Sequence, residues 1–348
     1  MSKNQYTTGD LVIRGQDDGR GISIIIPAFN AEATIKRCIE SVIKTGHSPL
    51  EIIVADDAST DGTVNIVTEI SNTVDEQVTL IRLESNNGPA RARNEGAAVA
   101  NYSYFFFLDS DTEMLPNALD NFFARIPEAD AVCGHYHWKP LNDNPIAWYK
   151  SLLNYYMFSR LGVFEHDVFL GSAAGIRRKA FEETGGFDSS LKWGMDYENE
   201  EFGHRLSMNH KILLDPSIAV HHAFPGFRKL TKTYFLRVSQ WMILFMKRRK
   251  FEVGGPAAQN VGLASIAFPL FITSLAGTIF SPWVWILVVF NAGIYFWGYA
   301  GFINFILKKR PIFLPLAIVL NGFFCTVISA GAAWGALNYL INWKNAKN

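Results

Sequence analysis

Two carboxylates one residue apart, Asp109 and Asp111, follow directly on the apolar run Tyr104-Phe105-Phe106-Phe107-Leu108. A buried strand that ends this way delivers both acids to the mouth of a sheet, where α/β proteins bind ligands. Side by side the acids repel, and a divalent cation carrying a phosphate ester is the usual remedy. Two more polar clusters follow apolar runs: Pro27-Ala28-Phe29-Asn30 behind residues 22–26, and Asp56-Asp57 behind residues 50–54. On neighbouring parallel strands the three clusters share one crevice. A nucleotide suits such a crevice. A carboxylate such as Asp57 accepts a ring N–H, a ribose diol suits Asp109, and Asp111 can hold the cation that a diphosphate needs. Arg91 and Arg93, in the first turn of a helix opened by Pro89, offer an anion both their charge and a helix N-terminus.

The elements that must position these residues are legible in the hydrophobic pattern. Residues 22–26 read as a buried strand stopped by Pro27. Asn30 is expected to cap a helix over 31–45, with Ile35, Ile39, Val42 and Ile43 on one face. Strands over 50–54, 79–83 and 104–108 alternate with helices, the third of which starts at Pro89 behind the turn Asn86-Asn87-Gly88. Four alternations in about 110 residues predict a doubly wound, mostly parallel, Rossmann-like sheet in one α/β domain. Beyond residue 131 the pattern changes. Strands are expected over 133–138 and 173–177 with a helix over 146–161 between them, then a charged helix over 198–209. Two short strands, 211–214 and 218–221, are expected on either side of Asp215-Pro216.

Taken in order, Ser23-Ile24-Ile25-Ile26-Pro27-Ala28-Phe29-Asn30, Asp56-Asp57-Ala58-Ser59-Thr60-Asp61-Gly62-Thr63, Asn87-Gly88-Pro89-Ala90-Arg91-Ala92-Arg93-Asn94 and Asp109-Ser110-Asp111 resemble the signature of family 2 glycosyltransferases of the GT-A fold. The likeness covers about residues 20–225. A lone Asp-x-Asp is weak; four motifs in the family's order are specific. The resemblance implies a nucleotide-sugar donor, a Mg²⁺ or Mn²⁺ cofactor and inversion at the anomeric carbon. It implies roles for Asp57 at the base, Asp109 at the ribose and Asp111 at the metal, with Pro27, Asn30, Asp56, Arg91 and Arg93 beside the donor.

Inversion needs a base for the acceptor hydroxyl. The family supplies it from a Glu-Asp pair a few residues before an Arg. Counted back from Arg205, that pair is Glu198-Asn199, so an amide stands where the basic Asp is expected. Glu198 is therefore the first candidate, with Asp196 behind it and Glu200 third. Gly171-Ser172-Ala173-Ala174-Gly175 could let a sugar approach the backbone, or could simply pack tightly. His222 could complete a metal shell beside Asp111.

The 348 residues carry no net charge, and nothing in the balance suggests nucleic acid. The charge is unevenly spread. Residues 254–307 contain no Asp, Glu, Lys, Arg or His, and neither do residues 311–343. A spanning helix needs about 20 apolar residues, so about three spans are expected, near 261–280, 282–307 and 311–341, turning at Ser281-Pro282. Trp283, Trp285, Trp297, Trp334 and Trp343 suit interfacial anchors. Lys247-Arg248-Arg249-Lys250 and Lys308-Lys309-Arg310 predict cytoplasmic flanks, with the catalytic domain inside a plasma or inner membrane. Three spans put Lys344 and Lys347 outside, a conflict that a re-entrant or interfacial third segment would remove.

The expected organisation is a polar tail over 1–20 without an apolar signal core, a GT-A domain over 21–223, amphipathic interfacial or linker helices over 224–253, and an α-helical transmembrane region over 254–343. In the linker Phe227, Tyr234, Phe235, Trp241 and Phe245 mix with Arg228, Lys229, Lys232 and Arg237. Cys38, Cys133 and Cys325 show no metal spacing and read as reduced structural thiols.

A membrane-anchored, inverting transferase that builds a cell-surface glycan accounts for these features, with the lipid bilayer and a lipid-linked glycan or other membrane acceptor as partners. The Gln-x-x-Arg-Trp motif of processive relatives is absent from Arg237-Val238-Ser239-Gln240-Trp241, which favours transfer of one sugar per event. The competing readings are a polyprenyl-phosphate sugar synthase and a non-catalytic nucleotide-binding membrane protein, the latter kept open by Asn199.

Overall fold

The computed structural model describes residues 19–191, 197–249 and 259–345. The first half follows the expected alternation: β1 (Ile22–Ala28), α1 (Ile35–Ile43), β2 (Leu50–Asp56), α2 (Thr63–Ser71), β3 (Gln77–Arg82), α3 (Pro89–Val99) and β4 (Tyr104–Leu108). Then come β5 (Thr112–Met114), α4 (Ala118–Arg125), β6 (Ala131–Tyr136), α5 (Pro145–Ser159), β7 (Phe164–Glu165), β8 (Ala173–Arg177), α6 (Arg178–Thr184), α7 (Glu198–Leu206) and β9 (Ile212–His222). The helices α8 (Phe227–Arg248), α9 (Gln259–Gly277), α10 (Trp285–Lys309) and α11 (Leu314–Asn345) complete the chain.

All nine strands join one mixed sheet, whose main path runs β3-β2-β1-β4-β8-β6-β9-β5. The first four are parallel. β8 is antiparallel to both β4 and β6, and β9 lies parallel to β6. The period-2 pattern of the apolar runs divides the core between two faces. Ile22, Ile24, Ile26, Phe106 and Leu108 pack with α1, α2 and α4 on one side. Ile25, Phe105 and Phe107 pack with α3, α6 and α7 on the other. Burial on both faces is why β1 and β4 read as unbroken apolar runs.

Two expectations are corrected. Asn30 does not cap α1, which starts four residues later than expected, behind Thr34. Asn30 instead takes a left-handed backbone (φ 49°), and its side-chain oxygen accepts from the Thr60 N–H at 2.9 Å. An Asn tolerates that conformation because its short amide can bond locally. The two strands expected around Asp215-Pro216 are one continuous strand, β9. The irregularity at Asp215-Pro216 remains as a bulge within β9: residues 215–218 lie between Leu214 and Ala219, whereas Gly134 alone separates their partners Cys133 and His135. There a Cβ on Gly134 would run into the Ile218 carbonyl.

Within Gly171 to Gly175 the last three residues pack tightly in the sheet. Ala173, Ala174 and Gly175 face Leu108, Phe107 and Phe106 across the β4–β8 ladder, and Gly175 leaves room for the Phe122 ring. Ser172 opens onto the crevice described below.

Among the described residues three segments are long and apolar enough to cross a membrane: Asn260–Gly277, Pro282–Lys309 and Pro311–Ile341. Their outer faces are apolar, with Trp283, Val289 and Val319 well exposed. The Trp343 side chain lies outside the described residues. α8 runs beside α11 in the same direction. Phe227 meets Phe323, and Gly331 and Gly335 bring α11 against the Phe235 and Ser239 carbonyls. Small residues of this kind let helix backbones approach closely. α5 ties the sheet domain to this layer, with Tyr149 stacked on Phe324 at 5.4 Å and donating to Asn321 at 2.8 Å.

Candidate active site

The carboxyl ends of β1, β2 and β4 open on one side of the sheet, and a cavity of about 650 Å³ begins there. Pro27, Asp57, Arg93, Asp109 and Asp111 line its mouth, and Glu198 and Asn199 line the opposite wall. The sheet therefore gathers most of the expected donor residues in one place.

Asp57 is nearly fully buried and already engaged. Its carboxylate accepts from the Asn87 N–H at 3.0 Å and the Gly88 N–H at 2.7 Å. Burial raises its pKa, against the lowering effect of those two N–H groups. The turn before α3 is thus fastened to the end of β2, and Gly88 reaches it with φ 91°, a conformation that favours glycine.

Arg93 is the hub of the site. Its side chain is 3% exposed; Nη2 donates to Asp109 Oδ1 at 2.9 Å, and Nη1 reaches Glu198 Oε1 at 3.4 Å. The guanidinium also lies over the Phe187 ring, 5.3 Å from its centroid. Arg91, two residues earlier, faces solvent and pairs with Glu95 at 3.5 Å. The two arginines of the first turn therefore do different work, and only Arg93 lines the cavity. Asp109 is tied further by its backbone carbonyl, which accepts from Thr112 Oγ1 at 2.7 Å. Burial raises the Asp109 pKa, and the Arg93 charge opposes the rise.

Asp111 and His222 meet because β5 pairs with β9, Thr112 facing His222. His222 Nε2 lies 3.4 Å from Asp111 Oδ1, and Nδ1 is buried with no hydrogen-bond partner among the described residues. Burial moves the two groups in opposite directions, Asp111 up to about 6 and His222 down to about 4. At neutral pH the contact joins a carboxylate to a neutral imidazole, so it is a polar contact and not an ion pair. Tyr136 and Phe224 flank the imidazole, with ring centroids at 4.3 and 4.4 Å.

An oxygen donor beside a neutral imidazole suits Mg²⁺ or Mn²⁺. Among the described residues no group of three ligating side chains forms a cage. An ion that arrives with a diphosphate needs only one or two protein ligands. The donor set therefore fits the cofactor that the sequence implies, with Asp111 and His222 as the residues that would hold it.

Asp56 and Asn30 do not line the cavity. Asp56 is fully buried, and its Oδ2 accepts from the Ser59 N–H at 3.2 Å. Asn30 braces the same loop through Thr60, and its own N–H donates to Ser59 at 2.9 Å. Both residues shape the loop behind the crevice. Asp196 lies outside the described residues. Asn199 faces Gly171, and its side-chain oxygen is buried with no hydrogen-bond partner among the described residues.

Sequence reasoning missed the far half of the cavity, which continues past Lys150, Tyr234 and Arg237 to helices α9 and α11. Lys150 Nζ donates to the Tyr234 hydroxyl at 2.8 Å, and burial lowers the Lys150 pKa to about 7. Arg237 lies 3.8 Å from Glu200, two residues beyond the base candidate. The signal available was the charged Lys150 inside the apolar helical run 146–153, which reads as a surface residue until α8 is seen to cover it.

Residues 23–185 match the profile of Glycosyl transferase family 2. The glycosyltransferase GlyG of Streptococcus pneumoniae is 31% identical over 118 residues, 33% of this chain and 39% of that protein. The UDP-Glc:alpha-D-GlcNAc-diphosphoundecaprenol beta-1,3-glucosyltransferase WfgD of Escherichia coli is 34% identical over 125 residues, 36% of this chain and 48% of that protein. The chain thus matches less than half the length of either relative. Among solved structures, the mannosyltransferase PcManGT of Pyrobaculum calidifontis, in complex with GDP-Man and Mn²⁺, superposes with a TM-score of 0.54 at 18% identity, over 92% of this chain and 86% of that one. That likeness is one of fold, and it extends beyond the GT-A domain into the C-terminal helices.

Proposed function

We propose that this chain, whose residues 23–185 form a glycosyl transferase family 2 domain, moves one sugar from a nucleoside-diphosphate donor to a lipid-linked acceptor during synthesis of a cell-surface glycan. The observation that carries this reading is the single cavity that begins among Asp57, Asp109 and Asp111 and ends among membrane-type helices. An acceptor arriving from water needs no such passage. The diphosphate-lipid acceptor in the name of WfgD supports the same class of substrate.

In a single displacement the acceptor oxygen bonds to the anomeric carbon as the bond to the diphosphate breaks, which inverts that centre. Glu198 is assigned to take the hydroxyl proton, with Asp196 as the alternative. Arg93 holds Glu198 and Asp109 on either side of one guanidinium and so fixes the base against the donor's ribose. Asp111 and His222 would hold a Mg²⁺ or Mn²⁺ ion, which would supply positive charge for the leaving diphosphate. The basic residues Lys308, Lys309 and Arg310 between α10 and α11 support a multi-pass topology with this domain on the cytoplasmic side.

A second reading, transfer onto a polyprenyl phosphate itself, is favoured by one observation. Glu198 is ion-paired and Asn199 follows it, whereas a phosphate nucleophile is already ionised and needs no base. The test is to incubate the full-length protein with a panel of nucleotide sugars, Mn²⁺ and membrane lipid extract, and to follow nucleoside-diphosphate release. Release that depends on lipid is expected, and the lability of the product to mild acid separates the two acceptors. No turnover with any donor would overturn both readings.

A further inference from the structure

We propose that the membrane-side half of the cavity is a seat for a single-chain lipid phosphate, with Lys150, Tyr234 and Arg237 at its head and helices α8, α9 and α11 around its tail. The inference rests on the proposed function only in calling this lipid the acceptor; the seat itself is argued from the chain's own residues.

Three observations lead to it. First, the cavity wall changes character along its length. Beyond Lys150 and Arg237 it is lined by residues such as Trp241, Phe245, Leu263, Ile266, Ile328 and Ala332. Leu263 and Ile266 are each 49% exposed, so on the α9 side the wall is open where the membrane would lie.

Second, the charge at the junction is unbalanced. Lys150 makes no ion pair among the described residues; its ammonium donates to Tyr234 and lies 4.5 Å from that ring's centroid. Arg237 is near enough to Lys150 to disfavour its charge. Glu200 lies 3.8 Å from Arg237 and pairs with that cation. A buried ammonium against apolar walls is costly unless an anion joins it, because little water screens it; Arg237, with its side chain 46% exposed, adds a second donor at the same junction. A phosphate monoester brings a charge of about −1.5 to −2 and three acceptor oxygens.

Third, the cations stand between the apolar slot and the transfer site. Lys150 lines the same cavity as Asp109 and Asp111. Arg237 pairs with the helix that carries Glu198. A lipid with its tail in the slot would therefore present its head at the crevice, whether the phosphate is the nucleophile or carries the acceptor sugar.

The test is equilibrium binding to the full-length protein in detergent, read by native mass spectrometry. The probes are farnesyl phosphate, farnesol, inorganic phosphate and dioleoyl phosphatidic acid. Farnesyl phosphate is expected to bind at least tenfold tighter than farnesol, about the worth of one charge-assisted hydrogen bond, and neither inorganic phosphate nor phosphatidic acid should displace it at equal concentration. Lys150→Met should abolish the preference for farnesyl phosphate over farnesol, and Lys150→Arg should restore it. Equal binding of farnesol overturns the head-group assignment, displacement by inorganic phosphate overturns the tail assignment, and displacement by phosphatidic acid overturns the single-chain assignment. If Lys150→Met does not fold, the preference measured on the unaltered protein still decides. Nucleoside-diphosphate binding with Mn²⁺ on the same sample separates the two claims. Its absence would defeat the proposed function and leave the lipid seat standing.

Discussion

Replacing Arg93 by Met removes a buried cation from between two acids while keeping much of the side-chain volume. Asp109 and Glu198, with side chains 29% and 14% exposed, would then face each other without a counter-charge. Breaking a buried ion pair by removing one partner costs about 3–5 kcal/mol. The cavity mouth lets water reach Asp109, which argues for the lower end, and loss of the contact with Phe187 adds about 0.5–1 kcal/mol. The expected loss is about 3–4 kcal/mol. At about 2–4 °C per kcal/mol for a domain of this size, the unfolding midpoint of the full-length protein should fall by about 6–16 °C. Arg91→Met is the matched control. Arg91 sits in the same helical turn, but its pair with Glu95 is exposed on both sides, so it should shift the midpoint by no more than about 2 °C. Both variants are measured in the same detergent at one scan rate. Equal shifts would refute the assignment of Arg93 as the hub of the site.

Glu198→Gln should keep nucleoside-diphosphate affinity while kcat falls by about 10²–10⁴ if Glu198 is the base; undiminished turnover moves the base elsewhere or favours a phosphate nucleophile. Asp111→Asn should remove the Mn²⁺-dependent part of nucleoside-diphosphate binding in a calorimetric titration, and unchanged binding would refute its role. His135 and His166 are buried, and burial lowers each to about 4 from 6.5. Both fold as neutral rings, so stability should fall as pH drops from 6.5 towards 4, by about 1.4 kcal/mol for each unit below 6.5 and for each histidine. His166→Phe should flatten that acid limb, and an unchanged slope would show that His166 does not cause it. Gly335→Val should separate α11 from α8, because a side chain there meets the Ser239 carbonyl; a drop of several degrees in the midpoint is expected, and no drop would mean that the helices are not packed at that point.

β1, β2 and β4 were legible because strands of a parallel sheet buried on both faces write themselves as unbroken apolar runs, each followed here by its own polar cluster. The distinction between Arg91 and Arg93 was also legible, though less openly. Ala90, Arg93 and Ala97 fall on the buried face of α3, while Arg91 and Glu95 are four apart on the exposed one. Asn30 misled because a polar residue before an apolar helix has two uses, as a cap and as a local turn former, and the choice depends on Thr60, which lies 30 residues away. The Asp215-Pro216 break misled because a bulge can hold a proline without ending the strand; here residues 215–218 of β9 bulge opposite Gly134 of β6. Least legible was the inner cavity, since Lys150, Tyr234 and Asn321 come together only when α5, α8 and α11 pack.

Helix α7 then takes on a role that neither its sequence nor its burial suggests alone. Its first turn places Glu198 and Glu200 in ion pairs with arginines from opposite sides, Arg93 of the sheet domain and Arg237 of α8. Arg93 in turn holds Asp109, and Arg237 stands beside Lys150 at the head of the lipid slot. The base candidate is therefore fixed by the donor side and the membrane side together. A phosphate that drew Arg237 away from Glu200 would loosen one of the two restraints on α7, and a donor ribose that competed for Asp109 would act on the other through Arg93. Each substrate thus has a physical route to the position of Glu198, through one arginine apiece, without touching the carboxylate itself.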